Sequence, residues 1–371
     1  MDDLAPGLRK RTAGAGWDDT GRRDAAGRRN ATRVGTPSLF TGGGIRTLGR
    51  TARTIRRLPR LSPAIQDQDD AVRISGFSFA RNAVKLDYPV REALASILPV
   101  VDELVVAVAP GDPDDTTREA VASLDDPRLK IVDAVWDDGR RQNAYADLTN
   151  VALDACTGDW CLYVQADEML HEDDLPGLRA RCHELLDDRR VEGLLFDYYH
   201  FFGDYQHIQD GHGWYQREIR LIRNGIGVRS VRDAQSFRYP DQRRITVAPA
   251  RARIYHYGWV RHPRFMQAKV REFWSHRKSM AEVEAEYGGR EEFDYGPLGR
   301  LPTYRGSHPA VMAERIRAMD WAGSLREADP PGMVRTQLHK DERFKYRLLT
   351  GLTRLTGVDL NHTNHGRVLK V

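Results

Sequence analysis

The sequence predicts an α/β fold built on a mixed, mostly parallel sheet flanked by helices, and three features carry that prediction. Strand-like and helix-like stretches alternate from about residue 71 to residue 170. The strand-like stretches are continuous apolar runs, the pattern of strands covered on both faces. The loops after three of them, ARNA, PGDPDD and QADE, are polar and lie where such sheets hold ligands, at the carboxyl ends of strands.

The elements read in order. VRISGFSF (72–79) is a strand and ARNAV the loop after it. REALASILPVV (91–101) has a helical period, DELVVAVA (102–109) is a buried strand, and PGDPDDTT is a turn-rich loop. REAVASL is a helix, RLKIVDAVW a strand, and NAYADLTNVALDACTG a helix ended by Gly158. DWCLYVQA (159–166) is the next strand, and it runs straight into Asp167 and Glu168. HEDDLPGLRARCHELLDD is then a helix with acids in its first turn, where the helix dipole favours them. VEGLLFDYYHFFGDYQHI, YQREIRLIRNG and ARIYHYGWV are strands richer in aromatics, and PRFMQAKVREFWSHRKSM (263–280) is a long amphipathic helix. This later part reads as an α+β half packed on the first.

Composition narrows the class. The 371 residues suffice for one large domain or two ordinary ones, and a 40% apolar content supports a core. No apolar run approaches the ~18 residues of a membrane helix; Leu104–Ala109 and Leu194–Phe196 are of strand length. The N-terminus lacks the apolar segment of a signal peptide. Cys156, Cys161 and Cys182 have no metal-ligand spacing and read as reduced thiols of a cytoplasmic protein. Charge is uneven. Residues 1–70 hold fourteen Arg and Lys against eight Asp, whereas the remaining 301 hold 43 basic and 45 acidic residues. The body is therefore near neutral, which speaks against a nucleic-acid-binding face. Residues 1–43 read as a disordered tail, or as sequence ahead of the true start. Residues 44–58 carry Ile45, Leu48, Ala52, Ile55 and Leu58 at helical spacing among arginines, a basic amphipathic pattern.

The run FSFARNA, PVREALASILPVVDELVVAV, GDPDDTT and TNVALDACTGDWCLYVQADEML resembles family-two glycosyltransferases of the GT-A fold, from about Val72 to about Trp321. The resemblance implies a Rossmann-like GT-A domain over 71–325, with residues 1–70 as a basic tail and 326–371 as a helical extension. It implies a nucleotide-sugar donor, a divalent cation (Mg or Mn) at an Asp-X-Asp loop, and inversion at the anomeric carbon. Here Gln165-Ala166-Asp167 stands at that loop. A glutamine there still hydrogen-bonds a ribose hydroxyl, but the change leaves a non-catalytic, nucleotide- or glycan-binding relative open as the rival reading.

The chemistry and the resemblance together imply roles, His256 and Asp233 by where such folds place a late histidine and an acid. A nucleoside diphosphate leaving group needs positive charge as the sugar bond breaks. Asp167 is the expected metal ligand with Glu168 as its helper, although two acids at a strand end also cap a following helix. His256 is a third candidate ligand or a core histidine; a nitrogen ligand tilts the choice toward Mn. Asp233 is the candidate general base, with Arg229 and Arg232 beside it in sequence, and Glu218 is in reserve. Arg81, Asn82, Asp112, Asp115 and Gln165 are the candidate donor contacts, against ordinary turn chemistry for the aspartates. The aromatics from Tyr198 to Tyr215 form either core or a wall for a glycan acceptor. Finally, Phe344, Leu348, Leu349, Leu352 and Leu355 share one helical stripe among Lys340, Arg343, Lys345, Arg347 and Arg354. That helix reads first as docked by its leucines on its own domain; the other reading is peripheral contact with an anionic membrane, which suits a lipid-linked acceptor.

Overall fold

Strand β1 (Ile74–Ala80) alternates its large side chains between the two faces of the sheet, Ile74 into one cluster and Phe77 into the other. In β2 (Glu103–Val108), Leu104, Val106 and Val108 enter the first cluster while Val105 and Ala107 enter the second. That is why these strands are apolar at nearly every position. The computed structural model describes residues 72–137, 143–335, 338–356, 366–369 and 371. The basic tail, with the amphipathic reading of 44–58, lies outside the described residues.

Between these strands runs α1 (Val90–Ile97), which buries Val90, Ala93, Leu94 and Ile97 at helical spacing. Then follow α2 (Thr117–Ala122), β3 (Leu129–Asp133), α3 (Ala144–Asp154) and β4 (Trp160–Tyr163). Next come β5 (Glu168–Leu170), α4 (Leu175–Glu184), β6 (Gly193–Phe202) and β7 (Arg217–Arg223). A hairpin of β8 (Arg229–Val231) and β9 (Ser236–Arg238) precedes the long β10 (Thr246–Trp259). The chain ends with α5 (Pro263–Ser275), α6 (Met280–Tyr287), α7 (Ala313–Arg317), α8 (Phe344–Thr356) and β11 (Arg367–Val368).

The main sheet has the order β11-β10-β6-β7-β4-β1-β2-β3, with β5 on β10. Five of its eight pairings are parallel; those of β7 with β4 and β6, and of β5 with β10, are antiparallel. The predicted mixed, mostly parallel α/β sheet is the observed one. Helices α1 and α4 cover one face through Leu94, Ile97, Leu175 and Leu178, and α3 covers the other through Leu148 and Ala152. From β1 the winding runs outward through β2 to β3 on one side and to β4 on the other. The crevice at the carboxyl ends of β1 and β4 is thus the switch point where such sheets bind ligands.

The later half departs from the sequence reading in four places. QADE is not a plain loop before a helix, because Glu168–Leu170 pairs antiparallel with Ile254–His256. The long helix of 263–280 breaks after Ser275, since Ser279 and Glu282 form a reciprocal capping box that starts α6. The C-terminal stretch is not only helical, because β11 joins the sheet beside β10. And α8 does not dock by its leucines: Phe344, Leu348, Leu352 and Leu355 are exposed.

Candidate active site

The first two polar loops are bound to each other. Asn82, in the loop after β1, adopts a left-handed conformation (φ 51°), which asparagine tolerates. Its side-chain oxygen accepts from the Asp112 backbone N–H at 2.8 Å. Thr117 accepts from the Ala83 N–H at 2.7 Å and donates to Asp115 at 2.8 Å. Lys85 bridges Asp112 and Asp114 at 2.7 and 2.8 Å. Gly111 permits this closeness, since a Cβ there would stand 2.4 Å from the Asn82 oxygen. Asn82 and Asp115 therefore build the rim, whereas Arg81 and Asp112 present charge on it. Arg81 lies over the Trp136 ring at 4.4 Å and bonds the Pro110 carbonyl.

The third loop is fixed by β5. Its register sets His256 opposite Glu168, and the Tyr257 N–H donates to the Asp167 carbonyl at 2.8 Å. Asp167 and His256, 89 positions apart, thereby meet: His256 Nε2 lies 3.8 Å from Asp167 Oδ1. Glu168 goes elsewhere. Its two oxygens take Arg220 at 2.7 and 2.8 Å, the Tyr198 hydroxyl at 3.0 Å and the Gln165 N–H. Both residues of this pair are fully buried. Glu168 thus locks the loop onto β7, and the expected metal helper is instead a structural anion.

A relay of two histidines sets the chemistry at Asp167. His200 Nε2 donates to the Tyr215 carbonyl at 2.6 Å, so its Nδ1 is an acceptor. That Nδ1 lies 2.8 Å from His256 Nδ1, which must then carry the hydrogen. His256 Nε2 is left as a bare lone pair beside Asp167. Burial pushes His200 down to about 3 and His256 to about 4, so both rings are neutral near pH 7. Gly258 faces the pair; a Cβ there would stand 2.4 Å from His256 Nε2 and 2.7 Å from Asp167 Oδ2. Burial opposes ionisation of Asp167, yet the neighbouring Lys269 and Arg261 hold its carboxyl below the usual range.

Among the described residues no group of three or more metal-binding side chains forms a cage. One carboxylate and one imidazole lone pair over a glycine fit a divalent cation held otherwise by phosphate and water oxygens. Lys269 also reaches this point, donating to Asp167 Oδ2 at 3.3 Å and to the Gly258 carbonyl at 2.6 Å. Burial and Arg261 push its ammonium down to about 7 against the pull of Asp167.

Lys269 belongs to α5, which crosses the whole rim. Glu272 accepts from Arg81 at 3.2 Å and Asn82 at 3.3 Å. Arg277, just beyond the helix, bonds Asp233 at 3.1 Å. The cation beside Asp233 is thus Arg277, not Arg229, which pairs with Asp154. Gln165 donates to the Ala234 carbonyl at 3.2 Å, tying the acid loop to the Asp233 turn. Arg81, Asp233, Glu272 and Arg277 all lie close enough to the buried Tyr145 hydroxyl to bear on its ionisation. The structure therefore gathers Arg81, Asn82, Gln165, Asp167, Asp233 and His256 around one crevice. Glu218 stays buried in β7, bonded to Gln235 at 3.0 Å and pushed up to about 7 by burial against the pull of Arg220. At 1% exposure it has no route to an acceptor. Of the aromatic run, Tyr198, Phe201, Phe202 and Tyr205 are core.

No protein-family model matches the chain, and no curated protein does. Solved structures do. The likeness is to glycosyltransferases. One is the glucosyl-3-phosphoglycerate synthase of Mycobacterium tuberculosis, crystallised with Mn²⁺, uridine diphosphate and glucosyl-3-phosphoglycerate. The identity is 18% and the TM-score 0.27, over 39% of this chain and 50% of that one. Another is TarS of S. aureus, at 14% identity and TM-score 0.33, over 58% of this chain and 43% of that one. The chain spans half or less of the length of these two proteins.

Sequence reasoning missed His200, Arg261, Lys269, Glu272 and Arg277. For Lys269, Glu272 and Arg277 the one signal was the polar face of the 263–280 helix, where Lys269, Glu272 and His276 share a side, and His200 and Arg261 carried none. A charged helix face is ordinarily solvated, so the pattern alone marks no site.

Proposed function

We propose that the chain is a glycosyltransferase of GT-A type. It moves a sugar from a nucleoside-diphosphate donor to a hydroxyl of a glycan or lipid-linked acceptor, with inversion. The observation that carries this reading is the His256 Nε2 lone pair, held beside the ionised Asp167 at the switch crevice with Lys269 and Arg261 next to the pair. Asp167 and His256 would hold a divalent cation, which supplies charge neutralisation for the diphosphate leaving group. Arg81 and Arg277 add fixed positive charge on the same rim, and Lys269 adds to it when protonated. Arg81 and Trp136 offer a flat cationic face for a base or phosphate. Asp233, bonded by Arg277, accepts the proton of the attacking hydroxyl.

The test is thermal shift with a panel of nucleoside diphosphates, with and without Mn²⁺. A ligand of the native state raises its apparent stability. We expect at least one nucleotide to raise the midpoint only with metal; no response from any member of the panel refutes the reading. One observation favours the rival, a binding protein without transfer: Glu272 already occupies Arg81 and Asn82, and Lys269 already occupies Asp167. Nucleotide release from the matching nucleotide sugar separates the two, because a mere binder releases none.

A further inference from the structure

Helix α8 is amphipathic, yet it is docked by its polar side. Tyr346, Leu349, Thr350 and Thr353 are half-buried. Thr350 accepts from the His212 N–H at 2.8 Å, and Arg354 reaches both oxygens of Asp210 at 2.7 and 2.9 Å. The Tyr346 ring faces that of His212. The apolar stripe points the other way: Phe344 is 81% exposed, Leu348 54%, Leu352 40% and Leu355 83%. At about 100° per residue these four fall within roughly 80° of one another, on the side away from Thr353. The segment leading into the helix adds Met333, Val334 and Leu338. Seven of the twelve exposed large apolar side chains among the described residues thus lie between 333 and 355. Monomeric proteins rarely leave such a stripe in water.

Charge decides what covers it. Residues 344–356 carry Lys345, Arg347 and Arg354 and no acid. Lys345 and Arg347 are exposed, on opposite flanks of the stripe. A second copy of α8 would bring these cations together, and the 44–58 segment is itself arginine-rich. Both occupants are opposed by like charge. A nucleic acid would satisfy the cations but not Phe344 and Leu355. An anionic lipid surface satisfies both, taking the stripe into its acyl boundary and the cations at its headgroups. We propose that α8 docks the protein on an anionic membrane. The loop that holds the helix continues to Tyr215, whose carbonyl anchors His200. The lipid-facing helix is therefore joined through a short stretch of chain to the crevice. This inference stands apart from the proposed activity, since it needs neither donor nor metal.

The experiment uses the full chain at low salt with vesicles of phosphatidylglycerol and phosphatidylcholine, and with phosphatidylcholine alone. The parent should sediment with the anionic vesicles and lose them as salt rises. Phe344→Ser with Leu355→Ser should weaken that binding by about tenfold or more while the thermal midpoint stays unchanged, because both side chains are already in water. Lys345→Glu with Arg347→Glu should abolish the preference for anionic vesicles. A parent that stays in the supernatant overturns the proposal. So does binding that the Phe344/Leu355 variant leaves intact, or a dimer that this variant dissociates in the absence of vesicle binding.

Discussion

Replacing His200 tests the logic of the crevice without touching a ligand. Its ring bonds the Tyr215 carbonyl at 2.6 Å and His256 Nδ1 at 2.8 Å, and it packs among Tyr198, Trp214 and Tyr215. His200→Phe keeps an aromatic ring of similar size but removes both bonds. Two buried groups, the Tyr215 carbonyl and the His256 Nδ1–H, lose their partner, at about 1–3 kcal/mol each. His256 can then shift its hydrogen to Nε2, which cancels the lone pair beside Asp167. Partners of this kind behind a metal-binding histidine are worth about 10–100-fold in affinity. We therefore expect a folded but weakened protein whose Mn²⁺ affinity, titrated calorimetrically with a nucleoside diphosphate present, falls by about that factor. His200→Gln restores a donor for Tyr215 and an acceptor for His256, and should recover most of the affinity. If the Phe variant folds and binds Mn²⁺ as the parent does, His256 is not a ligand in the tautomer inferred here. If Gln and Phe are equally impaired, packing rather than tautomer is what His200 supplies.

Three further outcomes follow from the same geometry. Asp167→Asn should abolish metal-dependent nucleotide binding, measured by thermal shift, and leave the chain folded; Lys269, already down at about 7, can shed its proton when its anionic partner is lost. Asp233→Asn should spare donor binding and lower turnover by about 10²-fold or more; an equal loss of donor binding would place Asp233 among the donor contacts instead. Glu218→Gln should stabilise the protein in a pH-dependent way: burial raises the folded pKa to about 7, so the native state favours the protonated acid and loses stability as pH rises from about 4.5 through 7. The variant's advantage in denaturant melts should therefore be near zero at pH 4.5 and grow to about 3 kcal/mol by pH 8; a constant difference across that range would contradict it.

The parallel half was legible because its physics is local. Continuous apolar runs ending in polar residues mark buried strands with loops at their carboxyl ends, and Arg81, Asp112 and Asp167 all lie where that pattern put them. The second half was not, because its decisive contacts are between distant strands. Only three residues, Glu168–Leu170, pair with β10, too few to show a period, yet they bring His256 to Asp167. Glu168 was misread for a related reason. Asp167 closes a turn and Glu168 opens β5, so neighbours in sequence face different ways, Glu168 toward Arg220. Asp233 shows the same limit. Arg229 and Arg232 are near it in sequence, but the guanidinium that reaches it comes from Arg277.

What α5 does across the rim reconciles the two functional readings. The crevice gathers three guanidinium groups, Arg81, Arg261 and Arg277, and the Lys269 amine, which repel one another when all are charged in partly buried surroundings. Three carboxylates stand among them: Asp167 on Lys269, Glu272 on Arg81 and Asp233 on Arg277. Without those anions the empty crevice would be a concentration of uncompensated charge, costly wherever water is excluded. Glu272 is the one of the three that sits on a helix and keeps access to solvent, at 23% side-chain exposure. A diphosphate offers more negative charge than a single carboxylate and more oxygens to satisfy the Arg81 fork and the Asn82 amide. On the proposed function, Glu272 therefore holds the donor's place, keeping the cations in position until a phosphate displaces it toward water. Occupied donor contacts are then what a cationic phosphate site needs in order to stay folded when empty, and they do not by themselves argue for a protein that has lost its chemistry.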